Sequence, residues 1–133
     1  MLRAGWSAES GYSCGQMLAR VFDCTAIFAA NDHVALGIVR AMAEQGRSIP
    51  DDVSLVGFDD VPESAFFTPA LTTIRQEFAE VGREALRLLL EQLQTGTRST
   101  DSVLVEPILV ERATVAPPPE PITSRWQSGS TGV

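Results

Sequence analysis

Cysteine is scarce in this chain of 133 residues, histidine is scarcer, and long apolar runs are missing altogether. Two cysteines, Cys14 and Cys24, make neither a disulfide framework nor a metal site, and read as reduced thiols of a cytosolic protein. His33 is the only histidine and has no nucleophile or second histidine beside it, so the sequence predicts no catalytic role for it. No stretch of about 18 consecutive apolar residues occurs, so nothing is expected to span a membrane. The opening "MLRAGWSAESGY" turns polar by residue 7 and does not read as a signal peptide. Basic residues are outnumbered, ten against 17 acids for a net charge of −7, which argues against this chain gripping nucleic acid directly. Glycine-rich phosphate loops, a dinucleotide fingerprint and a nucleophile elbow are likewise missing, and the chain reads as a non-enzyme with no cofactor and no metal.

What is present is the composition of one globular domain, 44% hydrophobic and 20% charged. "MLRAGW" reads as the end of a strand. Ser7 is a good N-cap for a helix through about Phe22, with Tyr12, Met17, Leu18, Val21 and Phe22 as its apolar stripe. "AIFAA" reads as a buried strand. A second helix starts at Asn31 or Asp32, carries Val34, Ala35, Ile38, Ala41 and Met42 at helical spacing, and stops at Gly46. "VSLVGF" is apolar on both faces, as a central parallel strand is. "DVPESAFFTPA" reads as a loop with at most one helical turn, and "LTTI" as a short strand. The longest helix runs from about Gln76 to Gln94 and ends at Gly96. "VLVEPILVER" is strand-like but broken by Pro107, which favours an edge or a bend. Residues 117–133 show no periodic pattern and are expected to be disordered.

Strands alternating with helices predict an α/β fold with a doubly wound parallel sheet. Such sheets bind ligands beyond the carboxyl ends of their strands. Trp6, the pair Asn31-Asp32 and the pair Asp59-Asp60 all fall there. Asn31 and Asp32 would each cap a helix well. One helix start needs one cap, and the expectation is that Asp32 takes that role while Asn31 offers a donor and an acceptor to a ligand. Asp59 bonds either loop amides or a ligand, and Trp6 either packs or stacks. An aromatic face beside an amide and a carboxylate suits a polyol, whose C–H face packs on the ring while its vicinal hydroxyls meet the polar groups.

At these residues the sequence resembles a known family. "GWSAESGY", "TAIFAANDHVALGIVRAMAEQGRSIPDDVSLVGFDDVPESAFFTPALTTIRQ" and "VGREALRLLL" are similar to the LacI/GalR family of bacterial transcription regulators, over about residues 3 to 116. The resemblance implies a periplasmic-binding-protein-like (type I) effector domain of two lobes around a sugar or related molecule. In members of that family a helix-turn-helix headpiece ahead of the domain binds operator DNA as a dimer. It places ligand contacts on Trp6, Asn31 and Asp59, and at the crossing between lobes on Gln76 and Phe78. The family often has Asp before the tryptophan, where this chain has Gly5. The dimer surface falls around the second helix and the 60–69 loop, at Val34, Ile38, Phe66 and Phe67.

The resemblance further implies that residues 1–116 are the C-terminal portion of the effector domain, truncated at the N-terminus. The headpiece and nearly all of one lobe then lie outside the chain, and helix 76–94 belongs to that other lobe. Such a fragment is expected to be marginal or aggregation-prone, and to hold sugar weakly. Three functions follow: a piece of a sugar-responsive cytoplasmic regulator working as a homodimer, a stand-alone sugar-binding protein, or an interaction module pairing with a full-length regulator.

Overall fold

The computed structural model describes residues 5–21, 23–98, 100 and 102–118. In chain order these form α1 (Ala8–Leu18), β1 (Ala26–Phe28), α2 (Asp32–Glu44), β2 (Ser54–Asp59), a 3-10 turn (Pro62–Phe66), β3 (Thr72–Arg75), α3 (Phe78–Thr95) and β4 (Ile108–Val110). The sheet has the order β1-β2-β3-β4. Its first three strands are parallel, with Ile27 opposite Leu55 and Gly57 opposite Thr73, and β4 closes the far edge antiparallel to β3. This is the expected α/β class with a mostly parallel sheet. β4 begins immediately after Pro107, as an edge strand should. The stretches 1–4 and 119–133, including most of the tail expected to be disordered, lie outside the described residues.

Helix α2 forms where the periodicity placed it. Val34, Ala35, Ile38, Ala41 and Met42 are buried, and the core joins all of these but Ala41 to Leu55 of β2 and to Leu71. Its end follows from Gly46, whose φ of +69° lets the chain reverse. The Gly46 N–H then reaches the Ala43 carbonyl at 3.2 Å and the Arg47 N–H reaches Met42 at 2.9 Å, satisfying carbonyls a helix end leaves open.

Helix α1 differs from its expected form. It ends at Leu18, with Ala19 as C-cap, and Phe22 lies outside the described residues. The Arg47 guanidinium donates to the carbonyls of Ala19, Val21 and Cys24, so a cation terminates the helix. Met17 and Val21 of the expected stripe are exposed, 50% and 44%. The packed face is instead Gly11, Cys14 and Gly15. Small residues win here because α1 lies almost backbone to backbone on α2. A Cβ added at Gly11 would sit 2.1 Å from the Val34 carbonyl oxygen, and one at Gly37 would sit 1.9 Å from that of Ala8.

Among the described residues, only one face of the sheet is fully dressed. Leu55, Gly57, Leu71 and Thr73 are buried on the α2 side. On the other face Phe28, Val56, Phe58, Ile74 and Leu109 remain partly or largely exposed, with Phe28 and Phe58 edge to face at 6.3 Å. β1 is therefore not the buried strand that "AIFAA" suggested. It lies at the sheet edge, and Phe28 is 65% exposed.

Candidate functional site

Because β1, β2 and β3 are parallel neighbours, their exits open on one edge of the sheet. Asn31 stands three residues beyond β1, Asp59 is the last residue of β2, and Gln76 follows β3 directly. The topology thus gathers residues 45 positions apart without help from local sequence.

Asn31, and not Asp32, caps α2. Its Oδ1 accepts the Val34 N–H at 2.8 Å from an extended backbone (φ −157°). Its Nδ2 donates to the Trp6 carbonyl at 3.2 Å, which seats the Trp6 loop against the β1 exit. The amide, 5% exposed, is therefore engaged at both ends within the chain, retaining one hydrogen and one lone pair. The Trp6 side chain is 76% exposed.

Asp32 turns inward. Its Oδ1 accepts from the Thr73 hydroxyl at 2.6 Å and its Oδ2 from the Val61 N–H at 2.9 Å, so one fully buried carboxylate ties α2 to β3 and to the turn after β2. Gly57 makes room for it, since a Cβ there would lie 2.2 Å from Asp32 Oδ1. The sequence alone places the cap one residue late, because a cap and a buried acceptor draw on the same residue types. Only the fold reveals that Thr73 waits opposite position 32.

Asp59 and Asp60 carry the unusual backbone of the site, φ +106° and +52°. Left-handed conformations cost a residue with a Cβ roughly 1–3 kcal/mol each. Asp59 Oδ1 accepts from Gln76 Nε2 at 2.8 Å, pairing the β2 and β3 exits. Asp60 receives Arg75 Nε at 2.7 Å, an Arg112 guanidinium nitrogen at 2.7 Å and the Ser64 hydroxyl at 3.1 Å. Burial alone would raise the Asp60 carboxyl pKa. The hydrogen bonds from Arg112, Arg75 and Ser64, with the Arg112 charge, outweigh it and hold the group below the usual aspartate value. Arg112 was absent from the sequence-based expectations, because nothing local marks a residue arriving 52 positions after its partner.

Phe78 opens α3 two residues past Gln76 and is 59% exposed. The structure thus joins Trp6 to Asn31 and Asp59 to Gln76, with Phe78 adjoining the second pair. Of the residues expected on a dimer surface, Val34 and Ile38 are corrected: each is 3% exposed, on the helix stripe that faces the sheet. Leu36, exposed at 42%, is the outward residue of that turn. Phe66 projects at 85% exposure, while Phe67 packs partly against the core. A shallow cleft of about 340 Å³ lies at the opposite edge of the sheet, among Val39, Ala43, Arg47, Ile49, Thr68 and Pro69, and holds none of the ligand candidates.

Chemically, the strand-exit edge offers amide and carboxylate groups beside an indole. It suits recognition of hydroxyls. Among the described residues no group of three or more His, Cys, Asp or Glu could hold a metal ion, and no helix is long and apolar enough to cross a membrane.

Residues 2–115 match the family model described as "Periplasmic binding protein-like domain". The chain is 40% identical over 116 residues to the HTH-type transcriptional repressor PurR of Mannheimia succiniciproducens, covering 86% of this chain and 35% of that protein. Among solved structures it resembles a LacI family transcriptional regulator from Enterococcus faecium with bound ribose (32% identity, TM-score 0.76, 87% of this chain and 43% of that one). It also resembles the dimeric Lac repressor with an 11-residue C-terminal deletion (40% identity, TM-score 0.76, 86% and 42%). The chain spans about a third of the length of the curated relatives it matches.

Proposed function

We propose a ligand-sensing role for this chain, which belongs to the periplasmic-binding-protein-like domain family and matches the effector-binding region of LacI- and PurR-type regulators. In this reading the edge holding Trp6, Asn31, Asp59 and Gln76 is one wall of a site for a sugar or related polyol, with Phe78 at its rim. The observation that carries it is the junction of Asp59 with Gln76 on one side and Asn31 with the Trp6 loop on the other, at adjacent parallel strand exits. The relative with bound ribose supports the chemical class.

The same reading gives α3 to a second lobe. None of its 18 residues is buried, and Phe78, Val81, Leu86, Leu89, Leu90 and Leu93 all face solvent. Two leucines left wet forgo about 3–6 kcal/mol, a large part of a domain's stability. The half-dressed sheet face points the same way. A single wall holds sugar weakly: losing three hydrogen bonds of about 1–1.5 kcal/mol each costs roughly a thousandfold in affinity. The Phe66 projection, with Phe67 and Leu36, serves a homodimer or a pairing with a longer regulator in the cytoplasm, and operator binding resides outside these residues.

The test is an amide NMR titration of the 133-residue chain with D-ribose. The expected outcome is millimolar binding with shifts at the Trp6 indole, Asn31, Asp59 and Gln76. Shifts centred on the Val39–Pro69 cleft, or micromolar affinity, would refute the half-site.

A further inference from the structure

Three charged residues at the site, Asp60, Arg75 and Arg112, take no part in it directly. Arg112 comes from the segment after β4, yet its guanidinium reaches across β3. One terminal nitrogen donates to the Leu71 carbonyl at 2.7 Å and to Ser64 Oγ at 3.2 Å, and the other to Asp60 Oδ1 at 2.7 Å. Asp60 Oδ2 is taken by Arg75 Nε. The Asp60 side chain is only 7% exposed and that of Arg112 19%, so this is a sheltered pair, while Arg75 lies at 46%. Asp32, holding the Val61 N–H, pins the same turn from its other side. Residues 59 and 60, both in left-handed backbone, are thereby clamped between fixed points on each side.

The clamp sits one residue from the ligand candidate. Asp59–Gln76 and Asp60–Arg75 are consecutive rungs between the turn after β2 and the exit of β3. Asp59 Oδ2 has no partner among the described residues, and it is the oxygen available to a hydroxyl.

We propose that Arg112 and Arg75, acting through Asp60, are positioning residues for the Asp59–Gln76 pair, so that effector affinity is set in part by a residue from the chain segment beyond β4. The proposal rests on the strand-exit site but makes a claim that is testable without any ligand. The clamp holds the backbone of residues 59 and 60 in a conformation their own side chains disfavour, and release lets the turn relax and Asp59 swing from Gln76.

The experiment uses the isotope-labelled 133-residue chain and its Arg112→Gln, Arg75→Gln and Arg112→Lys variants. In the wild-type chain without sugar, the Gln76 side-chain amide hydrogens are displaced from free-glutamine positions. Both glutamine variants return them there while methyl signals of Met42 and Leu55 in the core stay in place. Arg112→Lys, which keeps a cation against Asp60, restores part of the displacement. With D-ribose as probe, the apparent Kd rises about tenfold in each glutamine variant, the effect of losing one charge-assisted hydrogen bond. Unmoved Gln76 signals in a folded glutamine variant, or an unchanged Kd, overturn the proposal. Should Arg112→Gln fail to fold, the exposed Arg75→Gln decides alone. A wild-type chain that ignores ribose overturns the sugar site, while the Gln76 signals still decide the clamp.

Discussion

Helices α2 and α3 each carry an apolar stripe, eight apolar residues of 13 in α2 and nine of 18 in α3, and meet opposite fates. Seven of the 13 residues of α2 are buried, and none of the 18 residues of α3 is. The difference does not lie in local sequence. α2 has a sheet beneath it and α1 against it, and its glycine at position 37 admits the α1 backbone. Among the described residues nothing buries a residue of α3, whose ion pairs Glu80–Arg83, Glu84–Arg87 and Arg87–Glu91 line the polar side. Such exposed pairs contribute a few tenths of a kcal/mol each, enough to favour the helix but not to replace packing. An apolar stripe records a demand for a partner, and the fold decides whether the partner is in reach.

Matched substitutions should break or sharpen this contrast. The largest expected effect is from truncating the core of α2. Met42→Ala costs about 2–5 kcal/mol in urea unfolding, whereas Leu93→Ala in α3 stays within about 0.5 kcal/mol. Equal costs at the two sites would mean that α3 is packed in solution. Glycine gives a finer version. Gly37→Ala drives a methyl into the Ala8 carbonyl and costs about 1–3 kcal/mol, while Gly82→Ala in α3 meets nothing within 4 Å and stabilises the helix by about 0.5–1 kcal/mol. Opposite signs in thermal denaturation are the expected result.

A smaller effect concerns surface. Replacing Leu89 and Leu93 with glutamate is expected to lower binding of an apolar dye and slow aggregation, with the unfolding midpoint nearly unchanged. The last is pH. Asp60 has its folded pKa below its unfolded value, so it contributes stability above the unfolded pKa, and that contribution is lost as pH falls through the depressed one. The chain is expected to lose stability on acidification below about pH 4, and Asp60→Asn to flatten that part of the profile relative to wild type. Identical profiles would show that the arginines do not hold this carboxylate.

Much of this was legible in the sequence, for reasons that particular residues illustrate. The α2 stripe and its Gly46 stop are short-range patterns, as are Ser7 as a cap and Pro107 ahead of an edge strand. Trp6, Asn31 and Asp59 were legible as positions at strand ends, because parallel topology converts order along the chain into adjacency, whereas Gln76 was named only through the family resemblance. What stayed hidden depended on long-range partners. The stripe of α1 was misjudged because the small residues Gly11, Cys14 and Gly15 signal close approach only once α2 lies across them. The cap fell to Asn31 and not to Asp32, whose buried partners Thr73 and Val61 are remote in sequence. Val34 and Ile38 were expected at a surface and went to the core with the rest of their stripe. Arg112, which completes the clamp on Asp60, left no local mark.

The most direct test of the contrast between a finished half and an unfinished one is native-state hydrogen exchange, resolved by residue, on the unmodified chain. Amides of α2, β2 and β3 are expected to exchange only through global unfolding, and those of α3 faster by orders of magnitude through local fraying. Protection of α3 equal to that of α2 would contradict it, and would mean that the leucine face of α3 is already covered.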